Sequence, residues 1–134
     1  MKKRLIKLGV LLVIIALSGL LIYLYRVHSY QNKVSHITVQ NIEFSSIPDG
    51  SYIGEYNVDF IYAKVSVTVK SGKIIHIDLL KHKTERGKPA EVITDRIVEQ
   101  QTLQVDAIAG ATNSSKVIKK AVENALNAAK APNP

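Results

Sequence analysis

The pattern of apolar and polar positions changes period twice along this chain. Leu8 to Tyr25 form 18 residues without a charge, and a helix of that length, at 1.5 Å per residue, covers most of a hydrocarbon core of about 30 Å. Tyr23 and Tyr25 fall at the far end, where amphipathic rings favour the membrane interface, and Arg26 closes the run. Residues 1–26 are therefore expected to be a basic flank and a single transmembrane helix. Residues 27–48 mix polar side chains with Ile37, Val39, Ile42, Phe44 and Ile47 and end in the turn signature Pro48-Asp49-Gly50. They read as a spacer with at most one short strand. A globular domain is expected over 49–130 and a disordered tail over 131–134.

Within the domain the period is first two. Ile61, Ala63, Val65, Val67 and Val69 alternate with Tyr62, Lys64, Ser66, Thr68 and Lys70, the signature of a strand with one buried face. Ser71-Gly72 then supplies a turn before a second extended run, Lys73–Leu80, so 61–80 predicts a β-hairpin, with a further strand over 51–59. From Pro89 the period becomes helical: Ala90, Ile93 and Ile97 form one stripe to Gln100, with Val98 beside it. A short strand-like piece is expected within 101–109, with Val105 and Ala107 facing one way. A last helix follows, N-capped by Asn113 or Ser114, with an apolar stripe of Val117, Ile118, Ala121, Val122, Ala125, Leu126 and Ala129. Lys116, Lys119, Lys120, Glu123 and Lys130 are assigned to its solvated face. The fold class is thus α+β: a small antiparallel sheet packed with about two helices, preceded by one N-terminal transmembrane helix.

Charge alters the picture mainly at the N-terminus. The chain of 134 residues carries a net charge of +7, but five positive charges lie in the first 26 residues and no acid precedes Glu43. The basicity is then a topology signal rather than a footprint for polyanions, and nucleic acid is not an expected partner. Four Lys/Arg before the apolar run against Arg26 and Lys33 just after it put the N-terminus in the cytoplasm and the domain outside. A cleaved signal peptide is the rival reading. It is disfavoured because Ala16-Leu17-Ser18 lies mid-run and GLLIYLYR follows without a small-residue cleavage site. With no Cys, disulfides, thiolate metal sites and Cys nucleophiles are excluded.

The sequence contains no HExxH, GxGxxG, GxxxxGK[ST], GxSxG or paired-His spacing, so no catalytic residue or metal ligand is assigned. One constellation stands apart: Asp106-Ala-Ile-Ala-Gly110-Ala111-Thr112-Asn113-Ser114-Ser115, where an extended segment meets a helix. Gly110 and Ala111 strip bulk from the approach to the Thr112 hydroxyl. Backbone N–H groups of the first helical turn, near Ser114 and Ser115, suit a phosphate. A tight turn followed by Ser/Thr capping, with no ligand, accounts for the same spacing.

This stretch, with DGSYIGEY and VSVTVKSGKIIHIDLLKHK before it, resembles the FMN-binding domain of the covalently flavinylated subunits of Na+-translocating and Rnf-type respiratory complexes and of small extracytoplasmic flavoproteins. The resemblance covers residues 49–129. It implies FMN as cofactor, joined through its phosphate to Thr112 by a separate flavin transferase, with Asp106, Gly110 and Ala111 as the rest of the attachment motif. Ala109 stands where that motif commonly has Ser or Thr. The segment His82 to Gly87 is only loosely similar to the family's Glu-Thr-Pro-Gly segment, and this loop, His82 included, is the second candidate for lining the flavin. The implied partners are the membrane, the transferase, a quinone/quinol or membrane dehydrogenase upstream and an extracytoplasmic acceptor downstream. A noncovalent FMN-binding or interaction module without redox turnover is the alternative.

Overall fold

The computed structural model describes residues 1–131, so the expected disorder of 132–134 lies outside the described residues. The chain divides into two units, one ending at Lys33 and the other beginning at Val34. The first is most of helix α1 (Lys2–Ser35), whose apolar stretch is long and hydrophobic enough to cross a membrane. Its side chains from Leu5 to Tyr25 are exposed, the arrangement expected of a helix whose burial is supplied by lipid. The helix runs about nine residues beyond Arg26, because Val27 to Ser35 contain no Gly or Pro to end it.

In the second unit, β1 (Gly50–Asn57), β2 (Tyr62–Lys70) and β3 (Lys73–Lys83) form an antiparallel sheet in the order β1-β2-β3. The β2–β3 turn takes positive φ at both Ser71 (51°) and Gly72 (72°), matching the right-handed twist of the flanking strands. The five alternating residues from Ile61 to Val69 are all 6% exposed or less, as the period-2 pattern requires. Helix α3 (Thr112–Lys130) packs across β1 and β2, and α2 (Ile93–Gln100) lies against β3. The 3-10 turn Lys88–Val92 begins the segment expected to be helical from Pro89. Ala90, Ile93, Ile97 and the α3 stripe from Val117 to Leu126 complete the core.

Three expectations are corrected. Of residues 27–48, expected as a spacer, 27–35 continue α1 and 36–48 hold no strand: Ile37, Ile42, Phe44 and Ile47 are each 8% exposed or less, and the segment lies as a strap on the domain. The Thr38 carbonyl accepts from Lys120 Nζ, the Gln40 N–H donates to Glu123, and the Val39 carbonyl accepts from Gln104. Glu123 is therefore buried at 3% exposure under the strap, paired with Lys120 at 3.0 Å, rather than solvated. Truncating Phe44 to Ala is expected to lower stability by about 3 kcal/mol, read as a shift in the denaturant midpoint. A true spacer residue would leave that midpoint unchanged.

The second correction concerns 101–109, which forms no strand because side chains satisfy its backbone. Thr102 Oγ1 accepts the Gln104 N–H, Lys119 Nζ donates to the Val105 carbonyl, and Ser115 Oγ accepts the Ile108 N–H. Leu103 and Val105 are still buried, while Ala107 is half-buried. Third, α3 starts at Thr112 with Ala111 before it and no side-chain cap. The Ala111 carbonyl takes both the N–H and the hydroxyl of Ser115, which draws the helix start two residues toward the glycine.

Candidate functional site

The Asp106–Ser115 stretch and the loop after β3 meet at the start of α3. Gly110 has φ 77°, the left-handed conformation that L side chains resist, and the Ala111 N–H closes the turn on the Ile108 carbonyl. Nothing lies within 4 Å of the position a Gly110 Cβ would occupy. Gly110 is thus required by conformation and not by crowding, and Gly110→Ala is expected to cost only about 1 kcal/mol, checked by thermal melting. Thr112 is exposed at the first position of α3, and Ala111 beside it is buried. The acceptor hydroxyl expected from the motif is therefore accessible, on a helix end whose first N–H groups have no intrahelical acceptor.

The serines behave differently from Thr112. Ser114 and Ser115 are 1% and 0% exposed. The Ser115 hydroxyl is consumed between Ile108 and Ala111, and the Ser115 N–H bonds back to Ala111, so this residue fastens the turn. Ser114 Oγ lies 3.1 Å from Thr84 Oγ1 and 3.3 Å from His82 Nε2. His82 Nδ1 lies 3.0 Å from Glu91 Oε1, and Thr84 Oγ1 accepts the Gly87 N–H at 2.8 Å. The His82 side chain is only 2% exposed and Glu91 40%. Gly87 is packed so tightly that an added Cβ would stand 1.8 Å from Ser114 Oγ. His82, expected in a loop, instead lies near the end of β3, which runs on to Lys83 and pairs His82 with Ala63 of β2, and from there its side chain reaches the first turn of α3.

Asp106 is exposed and makes no hydrogen bond to the turn among the described residues; its carboxylate acts on Lys119. Burial pushes the Lys119 ammonium below the ordinary lysine pKa, Asp106 works to raise it and Lys116 to lower it. Since the folded value lies below the unfolded one, the charged Lys119 costs stability at neutral pH, and that cost disappears as pH rises through the folded value toward 10.5. Sequence reasoning missed Glu91 and Lys119. Glu91 and Lys119 carry no local signal, because helical periodicity assigns both to solvated faces. Thr84 and Gly87 stand in the segment His82–Gly87, which similarity to the Glu-Thr-Pro-Gly loop brings forward without saying what they touch.

The donor set suits a phosphate: an accessible hydroxyl, an open glycine turn, a helix start, and the exposed Arg86 of the 84–87 loop, which forms no ion pair among the described residues. Among the described residues no group of three or more His, Asp or Glu is placed to hold a metal ion. No solved structure matches this chain. A family model described as the FMN-binding domain matches residues 60–127, spanning β2, β3, the 84–87 loop, the Asp106–Ser115 stretch and most of α3. With that match extending over half of its length, the chain belongs to the FMN-binding domain family.

Proposed function

We propose that this protein is a membrane-anchored, extracytoplasmic electron carrier with FMN joined through its phosphate to Thr112. The observation that carries the covalent reading is the Thr112 hydroxyl, exposed beside an open Gly110 at the head of α3 within the matched family domain. FMN, when bound, supplies the capacity to accept one or two electrons and so to link a two-electron donor to a one-electron acceptor. The chain's residues hold and orient it. The helix start and Arg86 meet the phosphate, Gly110 keeps the approach clear, and Ser115 holds the turn in shape. Asp106, exposed before the turn, is available to a transferase as a recognition element.

Attachment balances as a transfer from FAD. The Thr112 oxygen bonds to the flavin-side phosphorus, the P–O–P bond breaks, AMP leaves, and the hydroxyl proton is released. The flavin is neither oxidised nor reduced. Charge asymmetry across the apolar run supports the outward placement of the domain, and a quinol or membrane dehydrogenase is the corresponding class of donor, with an extracytoplasmic acceptor beyond.

Intact mass of the full chain, coexpressed with a flavin transferase and extracted in detergent, tests this reading. The native chain is expected to gain one FMN less water and Thr112→Val to gain nothing. Ala109 favours the second reading, a noncovalent FMN module. It becomes the better account if the native chain gains no mass, Ala109→Ser does, and the native chain still binds free FMN.

A further inference from the structure

Four side chains at the start of α3 form a chain of hydrogen bonds whose direction is determined at both ends. The Glu91 carboxylate only accepts, so His82 Nδ1 carries hydrogen toward it at 3.0 Å. At the other end the Gly87 N–H donates to Thr84 Oγ1. With a neutral imidazole, His82 Nε2 has only a lone pair, so the Ser114 hydroxyl donates to it across 3.3 Å and accepts from Thr84 across 3.1 Å. Every group is satisfied, and Ser114 has no hydrogen left for a ligand. One added proton changes this: an imidazolium donates through Nε2, Ser114 Oγ becomes its acceptor, and the Ser114 hydrogen is released.

Resting on the flavin reading above, we propose that His82 is a positioning residue that links phosphate binding to uptake of one proton: the imidazolium turns the Ser114 hydroxyl toward an anion held at the first turn of α3. The anion's class is a phosphate ester, mono- or diester, since the released donor sits two residues after Thr112. The buried imidazole supplies positive charge to the anion while remaining paired with Glu91. No serine nucleophile is implied, because Ser114 is 1% exposed.

Other charges surround His82 without bonding it. Lys81 and Lys83 flank it on β3, Tyr62 and Lys64 flank its β2 partner Ala63, and Glu85 and Arg86 lie in the loop. Lys88 stands on the 3-10 turn with Glu91, and Lys116 on α3. Lys81, Lys83, Glu85, Arg86 and Lys88 are exposed, so solvent screens them, whereas the His82 side chain is 2% exposed.

The experiment uses the full chain in detergent carrying Thr112→Val, titrated with FMN and with riboflavin by flavin fluorescence at pH 6 and pH 8. FMN affinity is expected to fall roughly tenfold over that range, within the limit of tenfold per pH unit for one linked proton. Riboflavin, lacking phosphate, should show no such fall. The second ionisation of a phosphomonoester near pH 6 acts in the opposite direction, so it does not mimic the effect. Adding His82→Gln, whose amide still reaches Ser114, should abolish the fall. In the covalently loaded native chain the phosphodiester does not itself titrate here, and its 31P shift should move between pH 6 and pH 8 but not in His82→Gln. A flat FMN profile with a flat 31P shift, or riboflavin following the FMN profile, overturns the role of His82 alone. A chain that neither binds FMN nor gains its mass overturns the flavin reading, and this inference with it.

Discussion

Gly54→Ala is expected to lower the stability of the domain by about 4 kcal/mol or to prevent folding altogether. An added Cβ would stand 2.2 Å from the Ala121 carbonyl oxygen and 2.3 Å from the Ala125 nitrogen. Both are backbone atoms in the middle of α3, so no rotamer change relieves the contact. Either the helix lifts off β1 or the strand bends away, and each opens voids along Val117, Ala121, Val122 and Ala125, all fully buried. The small residues of the α3 stripe are explained by the same contact: helix and strand backbones meet at Gly54, with Ala121 and Ala125 opposite. Domains of this size melt about 4–8 °C lower per kcal/mol lost. Thermal unfolding of Gly54→Ala should therefore fall by roughly 20 °C, against a few degrees for Gly110→Ala, where the added carbon meets open space. Equal losses at the two glycines would show that α3 does not sit on β1 as described.

The hairpin and the last helix were legible because each buries one face against one partner, so a single period carries the signal. Ile61 to Val69 and Val117 to Leu126 follow their periods almost without exception. The strap was not legible, because Ile37, Ile42, Phe44 and Ile47 follow neither period. They are buried by a chain that crosses α3 and residues 101–105 in irregular conformation, and sequence spacing holds no trace of that path. The strap also explains Glu123: a carboxylate in a helical Lys/Glu pattern looks solvated until a distant segment, here Gln40 with its N–H at 3.3 Å, covers it. Residues 101–109 failed for the opposite reason. Their alternation is real, but a strand needs a neighbouring strand, and here the side chains of Lys119, Ser115 and Thr102 supply the hydrogen bonds instead.

At the site, the motif located Thr112 and Gly110, and the structure adds what holds them. The turn is fastened from inside by Ser115, and the first turn of α3 is fastened from outside by Ser114 to the 84–87 loop. The two adjacent serines thus divide one task. Neither hydroxyl is an open ligand contact in this arrangement, although both lie in the stretch the family resemblance singles out. The exposed hydroxyl is that of Thr112, which suits a group that a second protein must reach.

Gly87→Ala is expected to reduce flavin loading at least tenfold while leaving the core folded. Gly87 has φ −90°, open to any residue, so the backbone itself tolerates alanine. The obstacle is steric: the new Cβ would be 1.8 Å from Ser114 Oγ, 2.5 Å from Ser114 Cβ and 2.6 Å from Thr84 Oγ1. Rotation of Ser114 relieves the first contact only, because its Cβ is fixed by the helix. The loop 84–87 must therefore retreat from α3, taking Arg86 and the Thr84–Ser114 bond with it and opening His82, near the end of β3, to water. Ser114→Gly removes the two nearest of the three obstructing atoms and leaves only Thr84 Oγ1, the end of a rotatable side chain, so the pair Gly87→Ala, Ser114→Gly should recover loading relative to Gly87→Ala alone, in the strongly non-additive manner of directly touching residues. Intact mass after coexpression with a transferase reads the loaded fraction, and circular dichroism melting shows whether the domain remains folded. Additive losses in the double variant would mean that the loop does not act through Ser114, and full loading of Gly87→Ala would remove the loop from the site.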